Sequence, residues 1–301
     1  MSITATLEVL GARPEDVRWL SERADSLVAE VATRGGNVIV KQHRPEADRA
    51  RNAATRARHE FDVLTRLRGV MPENATVPRA LQLDEARGAL VIERATGEAL
   101  DTMIGEGKRR AEAAEILSGP LRRTGAWLRA MQDATSSEAD RRQVLEAQVA
   151  LGVSDAETVY HGRMRDRVVA RLRQLGETLG SRSGPVTGHH GDFWPGNVFL
   201  DDSRVQVIDF EGFRDGLPME DVAYFLLQLE LLLPRHRRHL AKLRDAFVSG
   251  YGGIDDRDAL HLFTLTKTLR LMARDAGARH SILVRLWIRH TLRRIVGGCL
   301  S

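Results

Sequence analysis

The chain has 301 residues, of which 43% are hydrophobic, enough to bury one large core or two modest ones. Its longest apolar run, residues 222–233, is interrupted by Gln228 and Glu230 and falls short of the ~20 residues that a membrane-spanning helix needs. The single cysteine, Cys299, excludes an internal disulfide and a cysteine metal cluster. Because no basic and apolar signal segment opens the sequence, we expect a cytoplasmic protein without a transmembrane segment.

Basic residues are unevenly distributed along the chain. The 45 lysines and arginines exceed the 41 acidic residues by only four, and the excess lies near the C-terminus. No helix-turn-helix, zinc-finger or stacking-aromatic pattern accompanies these basic residues. We therefore expect no nucleic-acid partner.

The first third of the chain has the pattern of an antiparallel sheet with one helix. A Gly-Gly turn joins two strands, and Lys41 lies at the end of the second one. The helix that follows carries Glu60. The predicted elements are strands at 26–33, 38–43, 80–84 and 88–93 and a helix at 47–67.

The sequence from residue 100 onward has a mostly helical pattern. Gly152 and Ser154 interrupt the apolar periodicity and predict a break between two of its helices. The predicted helices are 112–131, 138–151, 156–179, 219–233, 238–251, 256–276 and 280–296. A strand-rich first part followed by a helical second part indicates an α+β fold.

Residues 189–211 carry the strongest chemical signal. A polar loop holds Asp192 and Asn197, a short strand follows, and a second apolar run ends at Asp209. A hairpin of this kind is expected to bring the three side chains together at one end. Phosphoryl transfer needs such a set, because one carboxylate can face the attacking hydroxyl while an amide and a second carboxylate bind Mg²⁺.

The spacing of His190, Asp192 and Asn197, followed by Asp209, resembles the catalytic and metal-binding loops of the protein-kinase-like fold. Gly191 stands where protein kinases have arginine, and the segment 216–223 is similar to the Gly-Asp-Pro-x-x-Asp-Leu-Ala segment of one branch. That branch is the aminoglycoside phosphotransferase and choline kinase group. The resemblance implies a bilobal fold, with an N-terminal antiparallel sheet lobe, a larger and mostly helical C-terminal lobe, and an ATP-dependent kinase that uses Mg²⁺, with GTP as the alternative nucleotide. Residues 93–98, where an apolar strand ends in Glu and Gly-Glu follows, resemble the linker between the two lobes. This implies a nucleotide-binding lobe of residues 1–94 and a catalytic and substrate-binding lobe of residues 95–301.

The resemblance also implies roles for individual residues. Asp192 would be the catalytic residue that accepts or orients the proton of the acceptor hydroxyl, and Asn197 and Asp209 would bind the metal. Lys41 would contact the nucleotide phosphates and Glu60 would orient it through an ion pair. The other implied assignments are backbone contacts to the adenine at Glu93 and Ala95, a phosphate contact from the Ser26 hydroxyl, and a loop anchor at Asp221.

The acceptor is expected to be a small hydroxylated molecule. Aminoglycosides are polycations that need an acidic pocket, whereas the last helices are basic. Their basic residues are Arg257, Lys267, Arg270, Arg274, Arg279, Arg285, Arg289, Arg293 and Arg294. We therefore expect a neutral or anionic acceptor such as a sugar, with an aminoglycoside phosphotransferase proper as the alternative. The same helices could contact anionic lipid peripherally, and the oligomeric state stays open.

Two other hypotheses follow from the same residues. His190 and Asp192 could be two ligands of a non-haem iron site, although such sites are built on many short strands. Residues 22–26 lack a glycine-rich phosphate loop, which leaves a non-catalytic kinase-like nucleotide-binding module as the second alternative.

Overall fold

The computed structural model describes residues 13–44, 52–107, 113–138, 140–232, 237–275 and 282–300. The chain forms two compact units. The first contains the described residues up to Glu98 together with Phe199–Phe213, and the second contains Ala99–Val198 and the described residues from Arg214 onward. None of the helices in these ranges is long and apolar enough to cross a membrane.

The predicted α+β class is confirmed, with the antiparallel sheet early in the chain and helices in most of the remainder. The strands are β1 (Val17–Glu22), β2 (Ser26–Thr33), β3 (Gly36–His43), β4 (Ala75–Thr76), β5 (Ala80–Asp84), β6 (Ala89–Glu93), β7 (Glu98–Ala99), β8 (Thr187–His189), β9 (Val198–Leu200), β10 (Val205–Val207) and β11 (Arg214–Gly216). The helices are α1 (Ala53–Val70), α2 (Leu100–Gly107), α3 (Ala113–Ala134), α4 (Arg141–Val159), α5 (Gly162–Gly180), α6 (Met219–Leu232), α7 (Arg237–Tyr251), α8 (Arg257–Asp275) and α9 (Ile282–Leu300).

The main sheet of the first unit has the strand order β1-β2-β3-β6-β5, with all neighbours antiparallel. Successive side chains of a strand point to opposite faces. One face carries a buried apolar cluster formed by Ala29, Val31, Val40 and Val91. Lys41 therefore points to the other face, and it lies mid-sheet because β3 pairs with both β2 and β6.

Helix α1 packs on the sheet face that carries Lys41. It begins after Asn52, whose side chain accepts a hydrogen bond from the Thr55 backbone N–H at 2.8 Å and so caps the first turn. The predicted start near residue 47 lies outside the described residues. The buried residues recur every three or four positions, as in an amphipathic helix: Arg56, Ala57, Glu60, Val63, Leu64 and Leu67. A carboxylate is thus placed among apolar side chains.

A smaller sheet has the order β4-β10-β9-β7, in which β4 and β10 are parallel. The chain after β6 is held against this sheet, because the backbone N–H of Thr96 donates to the Gln206 side-chain oxygen at 2.8 Å. Gly97 permits the close approach: its φ is +87°, and a Cβ there would lie 2.1 Å from the Leu200 carbonyl oxygen.

In the second unit, the predicted helix break at Gly152 and Ser154 is wrong. Helix α4 continues through both residues, and the chain instead breaks at Tyr160 and His161 before α5 begins. Gly152 is buried, and a Cβ there would lie 2.7 Å from a methyl group of Thr266 on α8. The glycine costs about 1 kcal/mol of helix propensity, but it allows α4 and α8 to pack closely.

Helices α3 and α7 also pack closely, through glycines on both sides. A Cβ on Gly250 would lie 1.8 Å from the Arg122 carbonyl oxygen, and one on Gly125 would lie 2.1 Å from the Phe247 carbonyl oxygen. These contacts involve backbone atoms, which cannot rotate away as a flexible side chain can. The two helices therefore require glycine at this crossing.

Gly250→Ala is expected to lower the free energy of unfolding by about 1–3 kcal/mol, because the added methyl group forces the two helices apart. Urea unfolding of the variant and the wild type measures the difference. Gly105→Ala is the control: Gly105 is exposed in α2, and a Cβ there would meet no atom within 4 Å, so the same change should stabilise by about 0.5–1 kcal/mol. Equal effects at the two positions would contradict the packing argument.

Candidate active site

A tightly hydrogen-bonded loop between β8 and β9 carries Asp192. Gly191 has a φ of +91°, a backbone conformation that residues other than glycine rarely adopt. The buried carboxylate of Asp221 accepts hydrogen bonds from the backbone N–H groups of His190 at 2.8 Å and Gly191 at 3.4 Å. The predicted anchoring of the loop by Asp221 is therefore present in the structure.

The Asp192 carboxylate is oriented by two neighbours. The Tyr224 hydroxyl donates to its Oδ1 at 3.0 Å, and the Asn197 Nδ2 lies 3.4 Å from its Oδ2. Burial is the main cause that raises the pKa of Tyr224, and the negative charge of Asp192 adds to it. This hydroxyl therefore stays protonated and remains a donor at neutral pH. Asn197 also donates from Nδ2 to the Asp192 carbonyl oxygen at 2.9 Å. Its Nδ2 is thus directed into the loop, and its Oδ1 is the atom suited to bind a cation.

Two adjacent buried carboxylates, Glu220 and Asp221, lie behind the loop. His189 contacts both, with Nε2 3.1 Å from Glu220 and Nδ1 2.8 Å from Asp221. Glu220 also contacts the Lys267 ammonium at 2.9 Å and the Arg214 guanidinium. Burial alone would raise the pKa of both carboxyls. The charge of His189, together with that of Lys267 in the case of Glu220, outweighs the effect of burial and lowers both pKa values.

This buried pair predicts acid-sensitive stability. Each carboxyl has a folded-state pKa below its unfolded-state pKa of about 4. The two ionised carboxylates therefore stabilise the folded state fully above the unfolded-state pKa, and this stabilisation is lost as the pH falls through the lowered folded-state pKa. The thermal unfolding midpoint should fall steeply below about pH 4. Glu220→Gln should lose about 1.5–3 kcal/mol near pH 7 and have a shallower acid profile. Glu146→Gln, at an exposed carboxylate of α4, is the control, and parallel profiles for all three proteins would contradict the assignment.

In the first unit, Lys41 lies between two carboxylates. Its Nζ is 2.8 Å from Glu60 Oε2 and 2.6 Å from Asp209 Oδ1. Lys41 is only 8% exposed and Glu60 only 1%. Burial alone would lower the pKa of Lys41, but the charges of Glu60 and Asp209 outweigh it and raise that pKa, so the ammonium stays charged. The ion pair between Lys41 and Glu60 fixes the ammonium in one position.

Asp209 has an unusual backbone conformation. It is the one residue other than glycine in the described ranges with a positive φ, +72°. This left-handed region is uncommon for residues with a side chain, although Asp tolerates it better than branched residues do. Residues held in such conformations cluster at functional sites. The turn presents a half-buried carboxylate next to the Lys41 ammonium.

Arg56 connects three segments around this cluster. It is 3% exposed; its Nε donates to Glu211 at 2.7 Å, and its Nη1 donates to the carbonyl oxygens of Arg44 at 3.1 Å and Asp25 at 3.4 Å. His43 lies between Glu60 and Glu211, at 3.3 Å and 3.5 Å. The segment before β2, the end of β3 and the turn after Asp209 are therefore fixed to one another, although no glycine-rich loop is present.

The remaining predicted nucleotide residues lie at the ends of strands or just after them. Ser26 begins β2 and pairs with His43, so it shares a face with Lys41, and its hydroxyl donates to Asp25 at 3.3 Å. Glu93 ends β6, and Ala95 is buried in the segment that follows. The structure thus brings Lys41, Glu60 and Asp209 together in the first unit and Asp192 and Asn197 together in the second.

Sequence reasoning missed Tyr224 and Arg56 as site residues. Helical spacing was the available signal for both: Tyr224 is three residues after Asp221 on α6, and Arg56 is four before Glu60 on α1. The iron hypothesis does not fit, because no three His, Cys, Asp or Glu side chains within the described ranges are arranged to hold a metal ion. The His190 Nδ1 instead accepts a hydrogen bond from the Asp192 backbone N–H at 3.2 Å.

The antiparallel sheet with its buried Lys-Glu pair and the helical unit with its Asp-Asn loop define the protein-kinase-like class. Residues 16–263 match the family APH, described as "Phosphotransferase enzyme family". The chain belongs to this family and is a small-molecule phosphotransferase. No curated protein matches the sequence.

Solved structures share the fold at low sequence identity. A choline/ethanolamine kinase family protein from Mesorhizobium loti is 16% identical with a TM-score of 0.62, and the match covers 100% of this chain and 95% of that one. Macrolide 2'-phosphotransferase from Brachybacterium faecium is 14% identical with a TM-score of 0.59, covering 99% and 97%. Amicoumacin kinase in complex with AMP-PNP, Ca²⁺ and Ami is 15% identical with a TM-score of 0.60, covering 99% and 94%.

Proposed function

We propose that this protein transfers the γ-phosphoryl group of ATP to a hydroxyl of a neutral or anionic small molecule such as a sugar. The observation that carries the proposal is the buried Lys41 ammonium, held at 2.8 Å by Glu60 and at 2.6 Å by Asp209. A charged ammonium that is desolvated and fixed by two carboxylates is suited to bind phosphate oxygens without reorganisation.

Asp192 accepts or orients the proton of the acceptor hydroxyl in this proposal. Tyr224 and Asn197 hold its carboxylate, which limits the geometries in which a hydroxyl can approach. Phosphoryl transfer depends mainly on such positioning and on charge neutralisation. The role of Asp192 is therefore to fix the acceptor oxygen in line with the γ-phosphorus.

Asn197 and Asp209 are the proposed Mg²⁺ ligands. Both present oxygen, the ligand atom Mg²⁺ prefers, and neither belongs to a full protein cage, as expected for a metal that takes its other ligands from phosphates and water. When bound, Mg²⁺ neutralises charge on the phosphate oxygens. The complex of amicoumacin kinase with AMP-PNP and Ca²⁺ supports nucleotide and divalent-metal binding by this fold.

The other predicted contacts extend the nucleotide site. We propose that backbone groups of Glu93 and Ala95 contact the adenine and that the Ser26 hydroxyl contacts a phosphate. Fixation of the segment before β2 by Arg56 and Arg44 supports the Ser26 assignment, because a fixed loop can present its amides without glycines. GTP remains the alternative nucleotide, and the lobe boundary at residues 94 and 95 and the cytoplasmic location stay predictions.

The acceptor preference rests on the basic C-terminal helices. Of the nine basic residues counted there, Arg279 lies outside the described residues and the side chain of Arg285 is not described. An aminoglycoside phosphotransferase proper stays the alternative, and kanamycin resistance of bacteria that express the chain would favour it. Peripheral contact with anionic lipid is tested by vesicle sedimentation at several salt concentrations.

The function is tested by two measurements on the full chain. Mg²⁺-dependent binding of AMP-PNP is measured by calorimetry, and phosphoryl transfer from labelled ATP is measured with a panel of hydroxylated metabolites. We expect nucleotide binding and transfer to at least one neutral or anionic acceptor. Nucleotide binding with no transfer to any acceptor would instead indicate the non-catalytic module, and no nucleotide binding would refute both.

A further inference from the structure

Three cations form a stripe on α8, at Lys267, Arg270 and Arg274. Their spacing of three and four residues places them on one face of the helix. This face is turned toward α6, because the Lys267 Nζ lies 5.9 Å from the ring centre of Tyr224. Tyr224 is the residue that donates to Asp192, so the stripe begins beside the proposed catalytic carboxylate.

Two of the three cations have structural partners. Lys267 contacts the buried Glu220 at 2.9 Å, and Arg270 lies 3.9 Å from Asp155 on α4. Arg274 is exposed, and no carboxylate with a described side chain lies within 4 Å of it. Its charge nevertheless acts on the Tyr224 hydroxyl. An exposed guanidinium without an ion-pair partner within 4 Å therefore lies on the helix face that Lys267 turns toward the tyrosine that orients Asp192.

The nearby acidic groups offset only part of this positive charge, because three cations face two carboxylates. Glu220 is buried and contacts His189, Lys267 and Arg214. Asp155 lies 3.9 Å from Arg270, and its carboxyl, whose pKa is raised by burial, also interacts with the charge of Arg274. Gln228, one turn after Tyr224 on α6, is half-buried and neutral, and it hydrogen-bonds the Tyr224 hydroxyl. The environment next to Asp192 therefore favours an anion over a cation.

We propose that Arg274, on the helix face that carries Lys267 and is turned toward Tyr224, forms a subsite for a carboxylate or phosphate group of the acceptor. The acceptor would then be a hydroxylated anion such as a sugar acid or a sugar phosphate. Arginine suits this role because its planar guanidinium can donate two parallel hydrogen bonds to either group. This inference rests on the proposed function, since it places the anion relative to the hydroxyl that Asp192 activates.

Matched ligands test the subsite. Glucose, glucuronate, glucosamine and a hexose monophosphate differ mainly in charge, and each is titrated against the full chain by calorimetry and tested as an acceptor. We expect the wild type to bind the two anions in preference to glucose, and glucosamine least. Arg274→Ala should weaken binding of the anions about tenfold, and raise their KM to a similar extent with kcat nearly unchanged, because the lost contact is the same in ground and transition states.

Two further variants control for indirect effects. Arg274→Lys should retain part of the anion affinity, because it keeps the charge but loses the planar fork. Arg163→Ala removes an exposed arginine from α5 and should change nothing. A merely structural role of Arg274 would weaken binding of glucose and the anions equally.

The outcomes separate the two proposals. Preference for glucose or glucosamine, no binding of either anion, or equal affinities in wild type and Arg274→Ala would overturn the anionic subsite and leave the kinase function intact. Anion binding that depends on Arg274 in a protein that binds no Mg²⁺-nucleotide would support the subsite and refute the kinase function.

Discussion

The Asp192→Asn variant is expected to transfer phosphoryl groups about 10²- to 10⁴-fold more slowly than the wild type, with nucleotide affinity nearly unchanged. The amide keeps the size of the carboxylate and can still accept from the Tyr224 hydroxyl, which lies 3.0 Å from Oδ1. It cannot accept the proton of an acceptor hydroxyl. The loss should therefore fall on kcat, as expected when an interaction of the transition state is removed.

Asp202→Asn is the matched control for this variant. Asp202 is an exposed carboxylate in the turn between β9 and β10, so neutralising it should leave kcat unchanged. Single-turnover transfer and AMP-PNP calorimetry are measured on all three proteins. Equal rates for the two variants would contradict the role of Asp192, and loss of AMP-PNP binding in Asp192→Asn would show that it acts on the nucleotide.

The parts of the site that sequence could predict are local. Asp192 and Asn197 are five residues apart in one loop, and their hydrogen bond follows from that spacing. The loop anchor at Asp221 and the significance of Gly191 were expected only from the resemblance to a known family. The contact between Lys41 and Asp209 joins residues 168 positions apart, and the resemblance to a known family, rather than any periodicity, was needed to expect both in one site.

The parts that sequence could not predict depend on packing. Arg56 contacts Arg44, which precedes it, and Glu211, which lies far along the chain. From sequence alone, an arginine in a helix indicates only a solvent-exposed helix face. The poor helix propensity of Gly152 predicts a break, yet its contact with α8 decides the outcome. The two-residue strands β4 and β7 are too short to produce any alternation that could be recognised.

Replacement of Lys41 by methionine is expected to abolish detectable transfer and to lower the free energy of unfolding by about 3–5 kcal/mol. The variant leaves Glu60, which is 1% exposed, buried without its ammonium partner and next to the Asp209 carboxylate. Burial without that charge would raise the pKa of Glu60, so the variant must either protonate this carboxyl or keep an uncompensated charge.

The double variant Lys41→Met with Glu60→Leu separates stability from function. Replacing a buried ion pair by apolar side chains is often neutral or stabilising, so the double variant should regain most of the stability that Lys41→Met loses. It should regain no activity, because no cation remains to bind the phosphates. Lys242→Met, at an exposed lysine of α7, is the control for both measurements. Recovery of transfer together with stability would mean that Lys41 acts only in folding, and the proposed phosphate contact would then be wrong.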